Sequence, residues 1–221
     1  MVNFILSYLL ALKKCGFGLF LIYIAFTFFD QSLTVLMESN LRSQDGATGA
    51  IFLLGAGYLT NSIFFTTLAT ATAIYGVSKV SDSWWQFIDR FFNQSCIEVV
   101  RAWGQTLSWS LLFLIPGFFK YLQFILVPFV VATDNKYQTG EVDALQKSKE
   151  LFKKHWLGLL MAVFFFQGIW SYISTDLFDA YRLIIHTPVQ AILISALEAL
   201  IFLFYILIIF IFLQQVLQFV K

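Results

Sequence analysis

The sequence predicts an all-α protein, an integral membrane helical bundle of about six transmembrane helices with amphipathic helices at the membrane interface. Three observations lead there. The 221 residues are 59% hydrophobic and only 12% charged, with a mean hydropathy of +0.79, far more apolar than a soluble domain. Two runs, Leu111 to Thr133 and Ala191 to Leu213, are long and apolar enough to demand lipid. Twenty-seven phenylalanines, nine tyrosines and six tryptophans supply ring surface suited to lipid and its headgroup boundary. A net charge of +1 gives no reason to expect nucleic acid or an acidic substrate.

At the N-terminus, Lys13 and Lys14 follow the first apolar stretch, where a cleaved secretory signal would place them before it. Residues 3–13 read as a short helix on the membrane surface, or as a direct continuation into the first span. A crossing of about 30 Å of hydrocarbon needs about 20 helical residues. Spans are expected at 16–37, 50–76, 97–116, 118–133, 156–174 and 190–214, within one integral domain covering 1–221. The third and fourth form a hairpin around Ile115-Pro116-Gly117, since proline disfavours helix before it and glycine permits a reversal. A single kinked helix over 103–133 would give five spans instead.

Charge placement supports six. With both termini cytoplasmic, Lys13, Lys14, Lys79, Arg90, Arg101, Lys136, Lys147, Lys149, Lys153, Lys154 and Lys221 fall inside. Only Arg42, Lys120 and Arg182 fall outside, which is the bias the positive-inside rule describes. The expected location is the cell inner membrane.

Two inner loops read as amphipathic helices. The first, roughly 81–93, opens on the capping residues Ser81-Asp82-Ser83, and Trp84 and Trp85 suit the headgroup level. The second, roughly 140–155, sets Leu145, Ser148, Leu151 and Phe152 on one side and the pairs Asp143–Lys147 and Glu150–Lys154 on the other. Its lysines Lys147, Lys149, Lys153 and Lys154, with the two tryptophans, form a candidate surface for lipid headgroups or a partner.

Residues 115–159 resemble a large group of bacterial multi-pass membrane proteins. That group includes uncharacterised inner-membrane families and the membrane domain of some glycerophosphodiester phosphodiesterases. Ile115, Pro116, Gly117, Pro128, Asp134, Ala144, Ser148, Leu151 and Trp156 occupy the places of its pattern. In that pattern an Ile-Pro-Gly turn leads through an apolar segment and an acidic loop to an A-xxx-S helix. A tryptophan then opens the next span. Lys153-Lys154-His155 stands where the group commonly has glycine. The resemblance implies a helical membrane domain and no chemistry.

No HExxH, GxSxG, Walker or strand-linked GxGxxG motif occurs, so no catalytic residue, cofactor site or metal site is expected. Cys15 and Cys96 have no metal-ligand spacing. Cys15 reads as a small helix-end residue or as an acylation site. His155 and His186 each stand alone in sequence. The candidate polar site lies inside the membrane, with Glu198 and Asp30 in the outer half and Lys120 or Arg182 near enough to neutralise one of them. A helix-packing contact would use the same residues. Asn61, Ser62, Thr66, Thr67, Thr70 and Thr72 mark the second span as a bundle centre. The functional expectation is a non-enzymatic accessory or scaffold subunit of a membrane complex, with lipid and other membrane subunits as partners. The alternative is a transporter or lipid-handling protein whose outer-half cavity bears Asp30 and Glu198.

Overall fold

Residues Val2–Arg42 form one helix of 41 residues, α1, in the computed structural model of the chain. The structure describes residues 2–42, 48–78, 83–177 and 188–218. Lys79, Ser81, Asp82, Arg182, His186 and Lys221, named above, lie outside them. The surface helix at 3–13 is therefore not a separate element. Ala11, Cys15, Leu19 and Ile22 are all buried, three or four residues apart. That single stripe runs across the expected boundary, and no proline interrupts it.

Helix α2 (Thr48–Val77) is the centre of the bundle, packing on α1 and on three later helices. Most of its buried residues are small or hydroxylated, among them Thr67, Ala69, Thr70, Ala71, Thr72 and Ala73, with Ile74 the one large aliphatic. A Cβ on Gly76 would fall 2.2 Å from Cys15 Sγ, so α1 and α2 meet there almost backbone to side chain. Cys15 is buried in that contact, which leaves no room for an acyl chain.

Helix α3 (Trp84–Leu112) merges the expected surface helix 81–93 with the expected span 97–116. Ser83 caps it, accepting from Gln86 N while the Gln86 side chain accepts from Ser83 N, a reciprocal capping box. Phe87, Ile88, Phe91, Ser95 and Ala102 are buried along one stripe, and no breaker separates the two halves. Elsewhere on its surface it exposes Gln86, Asp89, Asn93, Gln94, Arg101 and Gln105.

The hairpin is present, but it reverses at Phe113 (φ −155, ψ 138), two residues before Ile115-Pro116-Gly117. Pro116 then sits in the first turn of α4 (Leu114–Phe124), where a missing N–H costs nothing. Gly117 serves packing: a Cβ there would lie 2.7 Å from Ser110 Cα, so only glycine lets α4 close on α3. Helix α5 (Val127–Thr133) follows a break at Ile125–Leu126, with Pro128 again in the first turn. A short α6 (Asn135–Gln138) leads to Gly140, whose φ of 77 reverses the chain.

Helix α7 (Ala144–Val163) is capped by Asp143 and carries a kink at His155 (φ −128, ψ 23). The kink lies where the amphipathic stretch meets the apolar one, so the two are halves of one bent helix. A π-helical segment, Phe164–Ile169, joins α7 to α8 (Trp170–Leu177). Last comes α9 (Pro188–Gln218).

Five helical stretches are long and apolar enough to cross a membrane: Ile5–Arg42, Gly49–Val77, Leu114–Thr133, Ala144–Ile173 and Pro188–Ile211. Such a set suits a membrane protein. The count is five rather than six because α3 is not among them; its polar face dilutes it.

Candidate functional site

The ISALEALIF stretch of α9 places Ser195 and Glu198 one helical turn apart, and α1 does the same with Thr27 and Asp30. The hydroxyls of Thr27 and Ser195 are 3.1 Å apart in a buried contact that ties the two helices together. Asp30 is within electrostatic reach of Glu198, so the two carboxylates singled out in the sequence do converge. Their surroundings differ. Asp30 accepts a hydrogen bond from the Tyr58 hydroxyl on α2. Glu198 faces a cavity of ≈ 240 Å³ whose wall includes Tyr23, Gln167, Ser171, Phe202 and Tyr205.

Lys120 does not join them. Its ammonium stands 5.3 Å from the centre of the Trp109 ring, and the charge that acts on it is Lys149. Among the described residues no basic side chain forms an ion pair with Asp30 or Glu198. The neutralising partner expected from α4 is held on the other side of the hairpin by Trp109.

A second cavity, of ≈ 140 Å³, lies behind the first. Thr66, Thr67 and Thr70 of α2 and Thr106 of α3 line it, together with Tyr121 of α4. Gln167, Phe202 and Tyr205 border both cavities and form the wall between them. The Gln167 amide is satisfied at both ends: its oxygen accepts from the Tyr121 hydroxyl, and Nε2 donates to the Tyr205 hydroxyl at 3.5 Å. Gln167 lies inside the π-helical segment, a geometry found frequently at functional sites. Neither Gln167, Tyr121 nor Tyr205 was expected as a site residue. The one sequence signal was an amide in the middle of the apolar run FFFQGIW.

The surface candidates separate. Trp84 is anchored inward, its Nε1 donating to Thr72 Oγ1 at 3.2 Å, whereas Trp85 is exposed. Lys147 pairs with Glu150 at 3.9 Å, three residues away, in place of the expected Asp143–Lys147 pair. Asp143 turns instead to Arg101 at 2.6 Å, and Arg101 also meets Glu98 at 3.4 Å. Lys153 and Lys154 are exposed. Beside this cluster, burial and the Glu98 carboxylate push the Tyr137 hydroxyl up to about 12.

Chemically, the site combines neutral hydroxyl and amide groups with a carboxylate that has no basic partner among the described residues. That set can hold water, a small hydroxylated solute, a proton or a cation. Among the described residues no three His, Cys, Asp or Glu side chains converge as a metal site would require. Comparison with known protein families, curated proteins and solved structures returns no match.

Proposed function

We propose that the chain is a non-enzymatic, multi-pass inner-membrane protein whose bundle takes up a small polar solute together with a proton or cation at Glu198. The observation that carries this reading is the cavity beside Glu198, continuous in its wall with the threonine-lined cavity. A carboxylate at membrane depth is costly unless neutralised. With no basic side chain paired to it among the described residues, a proton or a metal cation does that work in this reading.

Both termini cytoplasmic is the orientation we favour. Lys14 donates to the Ser78 carbonyl at 3.2 Å, Arg90 to Gln138 at 3.1 Å and Arg101 to Asp143. These contacts draw basic residues of α1 and α3 toward the α2–α3 junction and the α6–α7 loop, in keeping with one basic face. The likeness of residues 115–159 to bacterial inner-membrane families accords with that assignment.

The test is gradient dissipation in vesicles loaded with a pH-sensitive dye. Wild-type protein is expected to speed the decay of an imposed proton or sodium gradient, and Glu198→Gln to abolish that gain. Equal decay with wild type, the variant and protein-free vesicles under both gradients would sink the reading.

A second reading, the accessory subunit, is favoured by one feature: the exposed polar stripe Gln94, Arg101 and Gln105 of α3. That stripe suits a protein partner better than acyl chains. Co-purification of a stoichiometric partner, lost when Gln94 and Gln105 are both replaced by leucine, would favour it over uptake.

A further inference from the structure

The hairpin of α3 and α4 carries an inference that the sequence did not. Arg101 pairs with Asp143 and Glu98, and the Arg101 and Asp143 side chains are 49% and 38% exposed. Such a cluster belongs at a membrane face in contact with water. From Arg101 to the end of α3 at Leu112 the helix advances at most roughly 17 Å, against about 30 Å of hydrocarbon. The hairpin therefore turns inside the membrane. Its tip agrees, because Leu111, Leu112, Phe113, Leu114 and Ile115 are all exposed and none carries a polar side chain. In water that tip would be an aggregation site; in lipid it is at home.

A re-entrant hairpin reassigns Lys120. A full crossing would leave it near the outer face, whereas here it stays on the lysine-rich side, opposite Lys149 of α7. The Lys120 ammonium lies 5.3 Å from the Trp109 ring centre, and that of Lys149 lies 5.3 Å from the Phe124 ring centre. Both side chains are half-buried. Ser148, next to Lys149, bonds the Gln123 carbonyl, and Phe124 under Lys149 stands one helical turn after Lys120, so both lysines lie at the α4–α7 contact; among the described residues no carboxylate pairs with either. Two half-buried ammonium groups at one helix contact, each beside a ring, suit an anionic headgroup.

We propose that Lys120 and Lys149 clasp the phosphate of an anionic phospholipid in the leaflet on the lysine-rich side, with the hairpin tip lodged among the acyl chains. Thermal unfolding of the full chain in neutral detergent tests this, titrated with phosphatidylglycerol, phosphatidylcholine or inorganic phosphate. Phosphatidylglycerol alone should raise the melting temperature. The double variant K120Q/K149Q should need roughly thirtyfold more of it for the same shift, since each lysine contributes about a factor of five. K120R/K149R should keep the response, and so should K153Q/K154Q. Equal stabilisation by phosphatidylcholine would overturn the proposal. So would a shift with inorganic phosphate as large as with the lipid, which would mark a free-phosphate site. K153Q/K154Q as damaging as K120Q/K149Q would reduce the effect to diffuse surface attraction and overturn it too. A separate measurement does not depend on those variants folding. Leu114→Cys in a C15S/C96S background should resist an impermeant maleimide from either face of sealed vesicles. Labelling from the face opposite Lys149 would place the tip in water and refute the assignment.

Discussion

Ser148 Oγ donates a 2.6 Å hydrogen bond to the carbonyl of Gln123, 25 residues earlier. The acceptor sits at the C-terminal end of α4, where carbonyls lack partners within the helix. Ser148 is fully buried, as is Ala144 one turn before it. The A-xxx-S spacing thus has a mechanical meaning here: a small residue admits α4, and a hydroxyl closes its end. Ser148→Ala should lower stability by about 1–3 kcal/mol, because it strands a buried carbonyl. Thermal unfolding in detergent measures it, and Ser148→Thr tests whether the methyl fits.

Gly117→Ala should be worse than its chemistry suggests. The added Cβ meets Ser110 at both its hydroxyl and its backbone, and overpacking of this kind costs about 1–3 kcal/mol. Gly104→Ala, on the same hairpin but with open space around it, is the matched control and should be neutral or slightly stabilising.

Asp143 does two jobs, capping α7 through Gln146 N at 3.3 Å and pairing with Arg101. Asp143→Ala should cost about 1 kcal/mol through the lost cap. Asp143→Asn keeps a capping oxygen and should cost less. Arg101→Ala should cost still less, at most about 1 kcal/mol, because the pair is half exposed. An Asp143→Asn variant as unstable as Asp143→Ala would show that the ion pair matters more than the cap.

Tyr137 sets an alkaline limit. Its proton is held more tightly in the folded chain, at about 12, than at the ordinary value of 10.0. The unfolded chain therefore loses that proton first. The stability linked to it is intact below pH 10.0 and falls away as pH rises toward 12. Melting temperatures of wild type and Tyr137→Phe should converge over that window and be parallel below it.

Gln167→Leu should uncouple the two cavities' wall from α4. It removes the acceptor for Tyr121 and the donor to Tyr205 at once, leaving the buried Tyr205 hydroxyl short of a partner at about 1–3 kcal/mol and the more exposed Tyr121 hydroxyl at less. Gln167→Glu restores an acceptor for both. Unfolding of the two variants distinguishes hydrogen bonding from packing.

The membrane-helix character, the hairpin and the Ser83 cap were legible in the sequence because each rests on local pattern: apolar run length, a Pro-Gly pair, a polar residue before an amphipathic stripe. Partners distant in sequence were not. Asp143 was expected to pair within its own helix with Lys147, yet Arg101, 42 residues away, offers a better donor and wins. Lys120 looked like a counter-ion for Glu198, yet its ammonium stands beside the Trp109 ring and, among the described residues, pairs with no carboxylate. The expected break between residues 93 and 97 failed because an amphipathic stripe and a membrane stripe can share one continuous helix. Gln167, Tyr121 and Tyr205 gave no collective signal, since their meeting depends on a π-helical turn that composition does not announce.

That turn has one more consequence. Each Phe164–Ile169 backbone bond spans an extra residue compared with the helices on either side. Relaxing the segment to ordinary α geometry would slip the register by one position and swing the side chain of Gln167 through about 100°. Both contacts of Gln167 therefore hang on one local pitch, and a variant that restored α geometry there would turn its amide away from Tyr121 and Tyr205 together.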